Sequence, residues 1–349
     1  MFTALCIGDP HIKVKNLDKI DEIIKRCELI AKKMKPDIII IMGDILDTHE
    51  KIHVQALRKA IMMIEVFSKI AYTVLLIGNH DRPNNGTYLT DEHPFTAMKK
   101  WPNVLIVDKV ISVDIADIRT NKDTNKNNDS KILGDRVVFV PYVEPGKFNE
   151  ALDTLKVSIN EQKPKVIFAH QEFYGVNLGP FQSQIGDKWP LESPLVVSGH
   201  IHNFHWLQSN ILYVGTPYQT TYHEDPNKAV VFMEFGSDDK PKIRRFSLGI
   251  TKKQVLVVDI DNLDSLELPD PKDIDLKLVV KGDPASLKSK SSQLKSLSMN
   301  VSLKPILSEK PPLYYDKTYP QILHDLVKDH NSALSAYSHV MSIISPSLS

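Results

Sequence analysis

Hydrophobic positions in the first eighty residues fall into two alternating patterns. Phe2 to Ile7, Asp37 to Met42 (DIIIIM) and Tyr72 to Ile77 (YTVLLI) are short, nearly uninterrupted apolar runs, as expected of strands buried on both faces. Between them, Leu17, Ile20, Ile23, Ile24, Cys27, Ile30 and Met34 recur at helical spacing until Pro36, and Val54, Leu57, Ile61, Ile64 and Phe67 repeat the pattern. This predicts two amphipathic helices. Strand, helix, strand, helix, strand is the βαβ signature of an α/β fold.

The pattern loosens further on. Val104 to Val107, Val110 to Ala116 and Arg136 to Val140 read as shorter strands, Pro145 to Asn160 as a helix, and Thr120 to Ser130 (TNKDTNKNNDS) as a solvated surface loop. Val166 to Ala169, Leu195 to Ser198, Ile211 to Val214 and Ala229 to Phe235 are further strands. Past Gly249 the register changes. Val255 to Ile260 and Ile274 to Lys281 predict strands of a small separate unit, followed by a Lys/Ser-rich helix over Ala285 to Leu297. An apolar stripe at helical spacing, Ile322 to Ile344, marks the tail. The expected division is a large domain over 1–250, a small α+β domain over 254–310 and a helical tail over 313–349.

Composition narrows the classes. The 349 residues contain 43 Lys plus Arg and 43 Asp plus Glu, a formal net charge of zero. A polyanion would therefore have to be held by local patches, a metal centre or a partner rather than by an overall field. The two cysteines, Cys6 and Cys27, sit in apolar patterns and read as reduced core thiols. No apolar run is long enough to span a bilayer, and Met1 to Ile7 has no basic leader. The expectation is an intracellular, soluble protein without a membrane partner.

Five polar clusters each follow a predicted strand: Gly8-Asp9-Pro10-His11, Gly43-Asp44-Ile45-Leu46-Asp47, Gly78-Asn79-His80-Asp81, His170, and Gly199-His200-Ile201-His202. In open α/β sheets ligands gather beyond the carboxyl ends of strands, so these clusters are expected to converge. Carboxylates, an Asn carbonyl and imidazoles without cysteine suit Mn, Fe or Zn. Asp9, His11, Asp44, Asn79, His170, His200 and His202 are too many for one ion and enough for two if Asp44 bridges. Two ions about 3.5–4 Å apart can clamp a phosphoryl group and activate water. Taken singly, an Asp after a strand is a turn residue or cap, and a lone His is packed or at the surface. Five in order at strand ends outweigh that reading. His49, His53, His93, His205, His223, His324, His330 and His339 lack such a setting and receive no role.

As an ordered set, D-x-H, G-D-x-x-D, G-N-H-D, H and G-H-x-H resemble the signature of calcineurin-like metallophosphoesterases over roughly residues 1–235. The resemblance implies a four-layer α/β/β/α sandwich of two mixed β-sheets with a dimetal site at the strand ends. It implies that Asp9, His11, Asp44 and His202 hold one metal, and Asp44, Asn79, His170 and His200 the other. His80 would be the catalytic histidine, Asp81 would orient it by a hydrogen bond, and Asp47 would support the site.

Within that superfamily the chain resembles the SbcD-type repair nucleases. Tyr213-Val214-Gly215-Thr216-Pro217 is similar to their Y-x-G-[ST]-P element, and the acidic His223-Glu224-Asp225 stretch follows at a similar distance. This implies a manganese-dependent exonuclease and endonuclease of a repair or recombination complex, acting on duplex ends, hairpins and single strands of DNA. It also implies a capping domain over 254–310, an SMC-like SbcC-type ATPase bound through 313–349, and a homodimer to which the second helix could contribute. The compact length resembles phage and viral members, for which the compartment would be the host cytoplasm. Lys13, Lys15, Arg82, Lys99 and Lys100 lie near the motif loops as possible phosphate contacts or as plain surface charge. The alternatives are another phosphoesterase, acting on phosphoproteins or small phosphodiesters, and a non-catalytic scaffold. Thr48 after Asp47 and Asp81 after His80 depart from the protein-phosphatase forms G-D-x-V-D-R-G and G-N-H-E, and no ligand is missing as it would be in a scaffold.

Overall fold

A computed structural model describes residues 1–49, 51–120, 136–155, 159, 163–179, 181–238, 240–270, 274–296, 300–305, 319–328, 334–335 and 337. In chain order the elements are β1 (Phe2–Ile7), α1 (Leu17–Met34), β2 (Ile38–Ile41), α2 (Val54–Ser68), β3 (Tyr72–Leu76), β4 (Val104–Val107), β5 (Ile111–Asp114), α3 (Ile115–Thr120), β6 (Arg136–Val140), α4 (Phe148–Asp153) and β7 (Val166–Ala169). There follow β8 (Asn177–Leu178), β9 (Phe181–Gln182), β10 (Val196–Ser198), β11 (His205–Gln208), β12 (Ile211–Tyr213), β13 (Val230–Phe235) and β14 (Lys242–Phe246). The last are β15 (Lys252–Asp259), β16 (Ile274–Gly282), α5 (Pro284–Ser289), α6 (Ser291–Ser296), β17 (Asn300–Pro305) and α7 (Tyr319–Val327).

Two mixed six-stranded sheets form the body, in the orders β14-β13-β1-β2-β3-β4 and β11-β12-β10-β7-β6-β5. In the first, β1 to β4 are parallel and β13 and β14 add an antiparallel edge. In the second, β12, β10, β7 and β6 are parallel and β11 and β5 close the two edges antiparallel.

The continuous apolar runs follow from burial on both sheet faces. Leu5, Ile7, Ile39, Ile41 and Leu75 pack in the core shared with α1 and α2. Their alternating neighbours Ala4, Cys6, Ile38, Ile40 and Val74 pack with Phe168, Val197 and Leu212 of the other sheet. On β7 the same period of two sends Val166 and Phe168 to that inter-sheet core, and Ile167 and Ala169 to a third core with Phe148 and Trp189. The molecule is thus a mixed α/β sandwich of two large sheets. Cys6 and Cys27 are buried free thiols, and burial pushes both thiol pKa values up.

Some predicted elements differ. The strand expected over Val110 to Ala116 stops at Asp114, whose carboxylate accepts from Ala116 N (2.8 Å) and turns the chain into α3. Within the helix expected over 145–160, α4 covers only Phe148–Asp153 among the described residues. The expected helix over Ala285 to Leu297 is divided at Lys290 into α5 and α6. Most of the Thr120–Ser130 loop and of the 313–349 tail lies outside the described residues.

The chain divides into two compact units, Met1–Val255 with Leu268–Lys277, and Leu256–Glu267 with Leu278–Ser349. In the first, the Asp275 carboxylate accepts from Tyr222 Oη (2.6 Å), Lys253 Nζ (2.9 Å) and Lys19 Nζ (3.0 Å). In the second, Ile260, Leu278, Val280, Leu287 and Leu294 form a small separate core.

Candidate metal centre

The loops after β1, β2, β3, β7 and β10 meet at one end of the two sheets. Three overlapping groups of side chains each bring their ligand atoms within 4.8 Å of one another: Asp9, His11 and His202; His11, Asp44 and His80; Asp44, His170 and His200. Asn79 joins the last group, its Oδ1 lying 3.1 Å from both His170 Nε2 and His200 Nδ1. All seven expected ligands and His80 are therefore gathered in one place.

The backbone is bent to achieve this. His11, Asp44 and His200 have φ of 46°, 47° and 75°, the left-handed region that non-glycine residues avoid. Gly43 has φ 102°, and a Cβ there would collide with the His170 ring.

Each carboxylate has one oxygen held and the other presented. Asp44 Oδ1 accepts from His80 N (2.8 Å), leaving Oδ2 at 3.3 Å from His170 Nε2 and 3.9 Å from His11 Nε2. Asp9 Oδ2 accepts from His200 N (2.9 Å), leaving Oδ1 buried without a partner. The imidazoles are sorted in the same way. His170 Nδ1 lies 2.7 Å from Met42 O and His202 Nδ1 lies 3.0 Å from Glu224 Oε1. A proton held on each Nδ1 leaves Nε2 as a lone pair facing inward.

These residues fit a pair of cations. A buried carboxylate oxygen lacks any donor, and His11 Nε2 faces His202 Nε2 at 3.0 Å, where at most one proton can lie between the two rings. Burial and the neighbouring Asp44 push the Asp9 carboxyl up. Burial alone would push Asp44 up as well, but the His170, His11 and His80 imidazoles hold it well below the carboxylate range. Burial opposes charge on His170, yet Asp44 and Asp9 raise its pKa to about 9. Without an ion, the site draws a proton onto an imidazole to offset two buried carboxylates, which is a demand for positive charge.

Other expectations are corrected. Asp81 does not reach the His80 ring. Its carboxylate accepts from Leu46 N (3.0 Å), Gly78 N (3.0 Å) and Ile45 N (3.4 Å), tying the second and third motif loops together. The His80 ring is instead oriented by the backbone carbonyl of Asp47, 2.9 Å from Nδ1. The Asp47 carboxylate, expected to support the site, accepts from Lys13 Nζ with both oxygens at 3.0 Å and lies 3.5 Å from Nδ1 of the candidate ligand His11. Arg82 is neither surface charge nor turned to solvent: it is 2% exposed, bonds to Tyr142 O and Asn85 O, and lies over the Tyr142 ring. Lys99 pairs with the buried Asp108.

Two further residues join the site: Glu224, marked in the sequence only as part of an acidic stretch, and His49, which received no role there. Glu224 also accepts from Thr220 N (3.0 Å), Thr221 N (3.2 Å) and Lys228 Nζ (2.9 Å) while bonding His202, so the acidic stretch after β12 has a defined partner. His49 stacks on His80.

Residues 2–204 match the calcineurin-like phosphoesterase family, and the chain belongs to that family. A protein of Invertebrate iridescent virus 6, 244L, whose name assigns it to the phosphoesterases, is 38% identical over 291 residues, covering 82% of this chain and 95% of its own. Another protein so named, 078R of Invertebrate iridescent virus 3, is 40% identical over 228 residues, covering 65% of this chain and 61% of its own. Among solved structures, GAP50, the anchor in the inner membrane complex of Plasmodium, aligns over 89% of this chain and 98% of its own at 13% identity and a TM-score of 0.43. That likeness is too loose to bear on function. Among the described residues, no helix is long and apolar enough to cross a membrane.

Proposed function

We propose that this metallophosphoesterase is a manganese-dependent nuclease that cleaves DNA phosphodiester bonds, as the SbcD-type enzymes it resembles do. The observation that carries the phosphodiesterase reading is the pair of half-held carboxylates, Asp9 and Asp44, each presenting one oxygen to a ring of imidazoles. Asp9, His11, Asp44 and His202 would hold one ion, and Asp44, Asn79, His170 and His200 the other. When bound, such ions neutralise phosphoryl charge and lower the pKa of water.

The chain's own residues do the rest. Asp81 locks the loops of Asp44 and His80 in register through three backbone amides. His80 donates Nδ1–H to Asp47 O, which turns Nε2 toward the substrate, where it gives a proton to the departing sugar oxygen. The DNA substrate rests on the resemblance of Tyr213 to Pro217 to the Y-x-G-[ST]-P element of those nucleases; this segment packs directly behind the first motif, where a Cβ on Gly8 would collide with Gly215 O. The proposal extends to an SMC-like ATPase bound through residues 313–349 and to a homodimer. The second helix, α2, would contribute to the dimer.

The test is degradation of end-labelled duplex and hairpin DNA with Mn²⁺ by wild type, His80→Ala and Asp44→Ala. Wild type should cut and both variants should lose activity by orders of magnitude. Turnover of a phosphopeptide or small phosphodiester without DNA cutting would move the assignment to another phosphoesterase.

A further inference from the structure

Four imidazoles stand in a row that begins inside the metal centre and ends outside it. Ring centroids are 4.9 Å apart for His202 and His11, 5.0 Å for His11 and His80, and 4.6 Å for His80 and His49. The first two are candidate ligands and the third is the candidate acid. The fourth, His49, lies near-parallel to His80 at 24°, a stack rather than an edge contact.

His49 has no hydrogen bond that accounts for its presence. Its Nδ1 is buried without a partner, and neither ring nitrogen bonds any described residue. A side chain kept only to prop the face of His80 would do so better as an aromatic hydrocarbon, because an unpaired buried nitrogen is costly. His80 already has its Nδ1 committed to Asp47 O. Two near-parallel rings one stacking distance apart can offer their remaining nitrogens to oxygens of a single phosphoryl group.

We infer that His49 is a substrate-contacting residue, donating a hydrogen bond to a non-bridging or leaving oxygen of the phosphoester alongside His80. The inference rests on the phosphoesterase reading of the site, not on DNA as the substrate.

Three variants separate the roles. His49→Phe keeps the stack and removes the nitrogens, His49→Gln restores a donor without a ring, and His49→Ala removes both. The readouts on manganese-loaded protein are affinity for inorganic phosphate by calorimetry, kcat and KM on bis(p-nitrophenyl) phosphate, and metal content. A hydrogen bond to a charged group corresponds to about ten- to hundred-fold. His49→Phe and His49→Ala should therefore both lose about that much phosphate affinity and kcat/KM, His49→Gln should recover part of it, and metal content should stay at the wild-type level. If His49→Phe equals wild type while His49→Ala falls, His49 is a prop and the inference is overturned. Loss of metal in His49→Phe overturns it as well. If wild type binds phosphate in a His49-dependent way but cuts no DNA, the nuclease proposal fails and this one stands.

Discussion

Glu224 Oε1 lies 3.0 Å from Nδ1 of His202, the outermost of the candidate ligands. The carboxylate is itself held by Lys228 and by the Thr220 and Thr221 amides. It fixes the imidazole ring and its tautomer, and such partners are typically worth about ten- to hundred-fold in metal affinity. Glu224→Ala should weaken Mn²⁺ binding by about that factor with the far-ultraviolet circular dichroism unchanged, and Glu224→Gln should weaken it less. Calorimetric titration of the metal-free protein is the measurement, and an unaltered isotherm for Glu224→Ala would refute the role.

Metal removal should cost stability. Asp9 and Asp44 are buried together with one oxygen of Asp9 unpaired, so ions that bind only the folded chain are linked to folding. At a hundredfold excess over the dissociation constant the linkage is about 2.7 kcal/mol. Chelator-treated protein should show a rise in Tm on adding Mn²⁺, and Asp44→Asn should lose most of that rise. Differential scanning calorimetry with and without metal decides this.

Asp108 supplies a pH-dependent contribution away from the site. Burial alone would raise its pKa, but the hydrogen bond to His93 (3.1 Å) and the pairing with Lys99 outweigh it and lower it. A depressed carboxyl stabilises the fold above its unfolded pKa, about 4, and that contribution is lost as pH falls through the lower folded value. Asp108→Asn should therefore cost about 1–3 kcal/mol at pH 7. The gap from wild type should close below about pH 4. Urea unfolding at the two pH values measures it.

The inter-sheet core should be intolerant of truncation. Phe168 is fully buried between the sheets, with Phe139 at 5.7 Å and Phe235 at 6.1 Å between ring centroids. Phe168→Ala should cost about 3–5 kcal/mol through lost burial and a residual cavity. Because β7 runs directly into His170, the same variant should also weaken metal binding. Denaturant unfolding and metal titration report the two effects separately.

Much of the fold was legible in the sequence because strand identity here is a local property. The runs at residues 2–7, 37–42 and 72–77 are apolar at nearly every position since each strand is covered on both faces, and the helical spacing between them has one period only. The positions of Asp9, Asp44, Asn79, His170 and His200 at strand ends followed from the same pattern. Short edge strands such as β11 and β14, with half-exposed residues, left too weak a periodicity to read.

Hydrogen-bond partners were not legible, because partner choice depends on the path of each loop and on which rotamer the packing allows. Asp81 is adjacent to His80 in the chain, yet its carboxylate turns to the amides of 45, 46 and 78, and the orienting group comes from Asp47 O, thirty-three positions away. Residue types and spacing alone determined the α/β class and a metal-ligating chemistry at the strand ends. Only the folded chain decided which oxygen of each carboxylate is free, which nitrogen of each histidine faces inward, and that His49 lies against His80. Those are matters of ångströms between residues far apart in the chain, and no local pattern encodes them.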